Sequence, residues 1–141
     1  MRVAGCPYCD APGGRALWMD RRCRVVLIED TAFAGFCRVV WNDHVKEMTD
    51  LGDADRAHVM DVVAVVERAL RDLLQPDKIN LAAMGTQVPH LHWHVIPRFR
   101  DDTHYPDAIW AAPKRAANGR TLPPDFVARL GAALADKLGV V

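Results

Sequence analysis

No run of apolar residues in this chain is long enough to cross a bilayer. The longest, Val62-Val63-Ala64-Val65-Val66, falls far short of the roughly 20 residues a membrane helix requires. Charge of one sign is not in excess either. Eighteen basic side chains face eighteen acidic ones, so no general attraction for nucleic acid or for a membrane surface is expected, and any anionic ligand must be gripped locally. Residues 1–10 contain no charged stretch followed by an apolar one, as a secretory leader would. The cytoplasm is therefore the expected compartment, where the four cysteines are not expected to form disulfides. Cys23 and Cys37 lie in strand-like runs and read as small buried hydrophobes. Repeats, low-complexity tracts and linkers are missing too. What remains is a single expected domain, 1–141, large enough for a sizeable core.

The densest chemistry is the stretch Pro89-His90-Leu91-His92-Trp93-His94-Val95-Ile96-Pro97-Arg98. Three of the six histidines fall within five residues. On a strand, alternate side chains share a face, so His90, His92 and His94 would line up about 7 Å apart while Leu91, Trp93 and Val95 enter the core. On a helix, residues two apart do not face each other. Pro89 and Pro97 suit the ends of a strand. A row of imidazoles on an apolar strand is costly without partners, whereas an ordinary solvent face would use Thr, Lys or Glu.

Cys6-Pro7-Tyr8-Cys9 has the letters of a redox dithiol. That chemistry needs a preceding strand and a following helix to lower the thiol pKa. Only five residues precede Cys6, and Asp10-Ala11-Pro12-Gly13-Gly14 follows with a turn composition. Two thiolates of a metal knuckle are the better reading.

Residues 16–19 and 23–29 read as strands joined by a polar turn, with Val25 and Leu27 on one face and Val26 and Ile28 on the other. Asp30 follows, where a turn or cap residue is the ordinary reading. Residues 35–41 form a third strand, ended by Asn42-Asp43-His44. Asp53 reads as the N-cap of a long helix to about Leu74, with Val59, Val63, Val66, Leu70 and Leu73 as its apolar stripe and His58 on its surface. Gln75-Pro76-Asp77 stops it. A fourth strand spans 78–84, with Asn80 among apolar neighbours, and the loop 85–88 leads to the histidines. Arg98 and Arg100 could attract polyphosphate or simply be solvated. Residues 103–118 read as irregular, and Pro123-Pro124-Asp125 opens a last helix through about Leu138.

His90-Leu91-His92-Trp93-His94-Val95-Ile96-Pro97 resembles the signature of the histidine triad superfamily of nucleotide hydrolases and transferases, and the resemblance extends over a core of about 6–100, leaving 101–141 as a C-terminal extension. It implies an α+β fold: a five-stranded antiparallel sheet with a long helix and a C-terminal helix, two copies dimerising through the sheet. The implied activity is hydrolysis of dinucleoside polyphosphates or nucleoside phosphoramidates through a nucleotidyl-histidine. The alternatives are a nucleotidyltransferase using the same intermediate, or a zinc-bearing nucleotide-binding module without turnover. His92 corresponds to the family's nucleophile. His94 would stabilise charge on the phosphoryl or leaving-group oxygen, and His90 would orient its neighbours or bind metal. Asp30 is implied as a ribose ligand, and Asn80, Thr86 and Gln87 as phosphate contacts, Gln87 in preference to Thr86. Some relatives build a zinc site with the first triad histidine. Here Cys6, Cys9, His44 and His90 would close a structural Zn²⁺ site, with no organic cofactor expected. Two departures stand out. Ala34-Gly35-Phe36 replaces the family's common Pro-Gly-His, and the 85–88 loop is short and poor in glycine. Partners are expected to be a nucleotide and a second copy of the chain, with neither nucleic acid nor membrane.

Overall fold

Alternation of side chains along each strand sorts the sheet into two faces. In the computed structural model, which describes residues 1–140, five strands form one antiparallel sheet in the order β1-β2-β3-β5-β4. Residue 141, the last of the expected 1–141 span, lies outside the described residues. The strands are β1 (Arg15–Met19), β2 (Cys23–Leu27), β3 (Cys37–Trp41), β4 (Lys78–Ala82) and β5 (His92–Arg98). Residues directly opposite on antiparallel neighbours share a face. Cys37 meets Val95 and Val39 meets Trp93, whereas Arg38 meets His94 and Val40 meets His92. One face is thus apolar and the other carries the histidines.

Two helices cover the apolar face. Helix α2 (Asp53–Leu74) lays Val59, Val62, Val63, Val66 and Leu70 on Val25, Leu27, Val39 and Val95. Helix α3 (Phe126–Leu138) adds Phe126, Leu130 and Leu134 to the same core. Helix α2 stops where Gln75 adopts φ 51° and its N–H bonds the Arg71 carbonyl, the left-handed stop that a following proline favours. No described helix is long and apolar enough to cross a membrane.

The observed elements differ from the expected ones at their ends. Gly52, not Asp53, is the N-cap of α2, and Asp53 begins the helix. Strand β2 ends at Leu27 rather than at residue 29, although the Ile28 amide still bonds the Phe36 carbonyl at 2.8 Å. Strand β4 ends at Ala82, the last residue paired with β5. The triad strand starts at His92 because the His90 amide turns back to the Val88 carbonyl at 2.8 Å and the Leu91 amide bonds Val45. His58 is not a solvated surface residue either: it is half-buried, with Nε2 2.7 Å from Asp20 Oδ2, and so ties α2 to the β1–β2 turn.

Candidate active site and metal cluster

An internal position in the sheet helps to explain the burial of the histidines. Strand β5 is paired on both sides, by β3 and β4, and the N-terminal segment closes over its polar face. His92 and His94 are each only 6% exposed. The Tyr8 ring stands edge-on to His92 with centroids 4.7 Å apart. Phe36 and Trp110 flank His94 at 5.4 and 5.1 Å, and the two imidazoles are themselves 4.8 Å apart.

Hydrogen bonds assign the protons. His92 Nδ1 lies 2.6 Å from the His90 carbonyl. A carbonyl only accepts, so Nδ1 carries the hydrogen and Nε2 keeps its lone pair. Burial, which the His90 carbonyl partly offsets, and the nearby Arg38 charge lower the His92 pKa below its ordinary value. Burial with the neighbouring His92 and Arg38 pushes His94 down to about 3. Both rings are therefore neutral at physiological pH, and His94 can donate only as a neutral N–H. A neutral, correctly protonated imidazole is a competent nucleophile.

His90 has left the ladder and serves another purpose. It is fully buried, and its Nε2–H donates to the Trp41 carbonyl at 2.6 Å. Its Nδ1 lone pair is thereby aimed at two sulfurs, Cys6 Sγ at 3.3 Å and Cys9 Sγ at 3.5 Å. His44 Nδ1 lies 3.5 Å from Cys9 Sγ. All four donor atoms lie within 4.8 Å of one another. A tetrahedral ion with thiolate bonds of about 2.3 Å and imidazole bonds of about 2.0 Å has sulfur-to-nitrogen edges of about 3.5 Å. The four side chains fit such an ion, and the Trp41 carbonyl supplies the outer bond that metal-binding histidines usually have. One helical turn, α1 (Pro7–Asp10), runs through the knuckle with Cys6 as its N-cap, and the bends expected from the turn composition follow over 11–14. At four residues α1 is too short to activate a redox thiol as a full helix does.

The HIT domain family matches residues 14–101 of the chain. The chain belongs to that family. Solved structures agree with the assignment. A histidine triad protein from Bradyrhizobium japonicum is 27% identical, with 87% of this chain and 89% of that one covered at a TM-score of 0.69. Another from Sinorhizobium meliloti is 25% identical over 89% and 90%, also at 0.69. A zinc-bound histidine triad family protein from Mycobacterium smegmatis, 24% identical over 94% of each chain, matches the fold with a TM-score of 0.63. Among curated proteins none matches significantly.

The other expected site residues of this HIT domain are more scattered. Asp30 is exposed in the bend after β2. Thr86 and Gln87 are exposed in the bend before β5. Asn80 sits on the histidine face, opposite Ile96, but its Oδ1 accepts from Arg98 Nη1 at 2.7 Å, leaving only the amide nitrogen to donate elsewhere. Arg98 is not a polyphosphate ligand. It is 2% exposed and bonds Asp102 through two nitrogens, at 2.8 and 3.0 Å. A groove of about 1000 Å³ runs beside β4, lined by Asn80, Ala82, Ile96 and Trp110 among others, but not by the histidines. It adjoins the triad through Trp110. Sequence reasoning missed Tyr8, Phe36 and Trp110 as walls of the site. Tyr8 lies inside the Cys-x-x-Cys knuckle that docks on His90, which was the available signal; nothing local marks Trp110.

Proposed function

We propose that this HIT domain is a nucleotide hydrolase that cleaves dinucleoside polyphosphates or nucleoside phosphoramidates through a covalent nucleotidyl-His92. The observation that carries the reading is the 2.6 Å bond from His92 Nδ1–H to the His90 carbonyl, which leaves Nε2 unprotonated and without a protein partner. That lone pair attacks the α-phosphorus, a P–N bond forms, and the bond to the leaving group breaks; a leaving phosphate departs as its anion, and a leaving amine takes a proton from solvent. The His92 ring keeps its Nδ1–H throughout. Water then attacks phosphorus, releases a proton to solvent, and the P–N electrons return to Nε2. His94, neutral, donates its N–H to oxygen where negative charge builds.

Asp30 is assigned to the ribose hydroxyls, and Asn80, Gln87 and Thr86 to the phosphates; of these, Asn80 stands on the histidine face. Zn²⁺ is the ion proposed for Cys6, Cys9, His44 and His90, a reading supported by the donor set and by the zinc-bound relative. It would be structural, since four protein ligands leave no open position. The backbone carbonyl of one of those four, His90, is what holds the nucleophile, so the metal would fix the site's geometry without touching substrate. The chain is read as one domain acting as a cytoplasmic homodimer. Strand β4 ends the sheet unpaired, and Leu81 and Met84 beside it are 41% and 54% exposed, the kind of edge that proteins usually cover.

The test is a panel of diadenosine tri- and tetraphosphate, adenosine phosphoramidate and nucleotidyl-lysine, compared by kcat/KM, with rapid acid-free quenching and mass spectrometry to find the adduct. An adduct on His92 that decays to free nucleotide supports the reading. Decay only when a phosphate or sugar-phosphate acceptor is added would make the enzyme a transferase. Tight nucleotide binding with no adduct would make it a binding module.

A further inference from the structure

Three arginines stand on the histidine face, and two of them are committed to the protein itself. Arg24 donates to the carbonyls of Tyr8, Ala11 and Pro12 and to Asn42 Oδ1. Arg98 is bonded to Asp102 and Asn80. Arg38 is different. It lies directly across the β3–β5 ladder from His94, so the two side chains leave the sheet together on one face. One nitrogen, Nη1, donates to the Gly13 carbonyl at 3.0 Å, and among the described residues Arg38 enters no ion pair. Its Nε is buried without a partner. The only other buried side-chain nitrogen or oxygen in that state, among the described residues, is Nδ1 of His94, its cross-strand neighbour.

A buried polar atom is nearly always bonded, and Arg38, itself half-buried on β3, leaves its Nε buried and unbonded. The guanidinium lies 5.6 Å from the Tyr8 ring centre and 5.4 Å from that of Phe36. Tyr8 is the ring that packs on His92, and Phe36 the ring that packs on His94. A fixed positive charge is therefore held beside both imidazoles, with no carboxylate paired to it among the described residues.

We propose that Arg38 is the phosphate-binding residue of this site, its guanidinium taking a non-bridging oxygen of the phosphoryl group presented to His92. The substrate class rests on the hydrolase reading above; the anion site itself does not. A guanidinium offers a planar fork of donors that suits phosphate, and this one is already immobilised between two rings, so little ordering remains to be done on binding. The assignment also accounts for the short 85–88 loop. With one glycine in four residues, that loop has little of the freedom with which glycine-rich loops wrap backbone N–H groups around an anion. A cation on β3 supplies from the opposite side what the loop does not.

The experiment titrates metal-replete wild type, Arg38→Lys and Arg38→Gln with inorganic phosphate and with AMP by calorimetry, alongside melting temperature and bound zinc. Wild type should bind both anions. Arg38→Gln should weaken both by about tenfold or more, while Arg38→Lys, which keeps the charge but loses the fork, should fall between. Melting temperature and zinc content should stay near wild type in Arg38→Lys. Phosphate binding by Arg38→Gln within twofold of wild type overturns the proposal, as does wild type that binds neither anion. Lysine no better than glutamine, with anion affinity merely following lost stability, also overturns it by making Arg38 structural. Arg38-dependent phosphate binding in a protein that turns over no nucleotide leaves the anion site standing and removes the hydrolase reading.

Discussion

Replacing Asp102 by Ala should cost this protein a large share of its stability. Asp102 is 6% exposed and accepts five hydrogen bonds: from Arg98 Nε and Nη2, and from the backbone amides of Phe99, His104 and Tyr105 at 3.2, 3.0 and 2.7 Å. Its partner Arg98 is almost wholly buried, with Asn80 as its remaining side-chain acceptor. Removing one member of a buried pair strands the other charge, at about 3–5 kcal/mol, against a total of roughly 5–15 kcal/mol for a domain. At about 3 °C per kcal/mol for a chain of this size, the melting temperature should fall by roughly 10–15 °C. Differential scanning calorimetry or urea unfolding measures it. The variant Arg98→Met with Asp102→Leu, which removes both charges, should lose less than Asp102→Ala, although the amides of Phe99, His104 and Tyr105 still lose their acceptor. The acid side follows from the carboxyl's pKa. Burial works to raise it, but the Arg98 guanidinium and the amides of His104 and Phe99 outweigh burial and hold it below the usual carboxylate value. A depressed folded pKa contributes stability that is complete above the unfolded value of about 3.9 and is lost as pH falls through the lower folded value. The gap between wild type and Asp102→Asn should therefore narrow below about pH 4. A loss under about 1 kcal/mol for Asp102→Ala at neutral pH would refute the reasoning, because no stranded charge is that cheap.

His92→Asn should lower turnover by roughly four orders of magnitude or more, the scale on which nucleophile removal acts, while AMP affinity and melting temperature change little; steady-state kinetics with calorimetry checks this, and near-normal turnover would move the nucleophile elsewhere. His94→Ala should cost about 10²- to 10⁴-fold in kcat, the range for a lost donor, as the same assay reads. Cys9→Ala should drop bound zinc from about one per chain towards none and lower the melting temperature before any effect on the intrinsic chemical step; elemental analysis of chelator-free protein decides, and a wild type with no metal sinks the assignment. Light scattering at micromolar concentration should return twice the chain mass, and Leu81→Lys, which puts a charge on the exposed β4 edge, should shift it towards monomer.

Much of this architecture was legible because β-sheet periodicity is rigid. Once His92 and His94 were read as sharing a face, Trp93 and Val95 had to share the other, and the same logic separated Val25 and Leu27 from Val26 and Ile28. The meeting of the two thiols was legible for a similar reason, since cysteines three residues apart can bring their sulfurs together. What escaped was long-range or irregular. His90 was read as the first rung of the strand, but the turn of its amide to Val88 removes it from the ladder, and no local propensity announces such a turn. Trp110 reaches His94 from a segment with no periodicity at all. Arg98 was left between a polyphosphate contact and a solvated side chain, and is neither, because its partner four residues on was hidden in a run of mixed charge. Arg38 was visible as the one charge within an apolar strand, 36–41, but its meaning depended on knowing that β3 lies next to β5.

The flanking of β5 by strands on both edges has a consequence for how the chain tolerates changes in length. Reactive rings and core side chains alternate along the same seven residues, so the strand has a reading frame. Adding or removing one residue upstream within it would exchange the faces, sending imidazoles towards α2 and Trp93 towards the substrate. Neither neighbour could slip to compensate, because each is held in its own register. The exposed 83–88 segment carries no such frame. Changes of length are therefore tolerated more readily in that loop than in the strand it leads into.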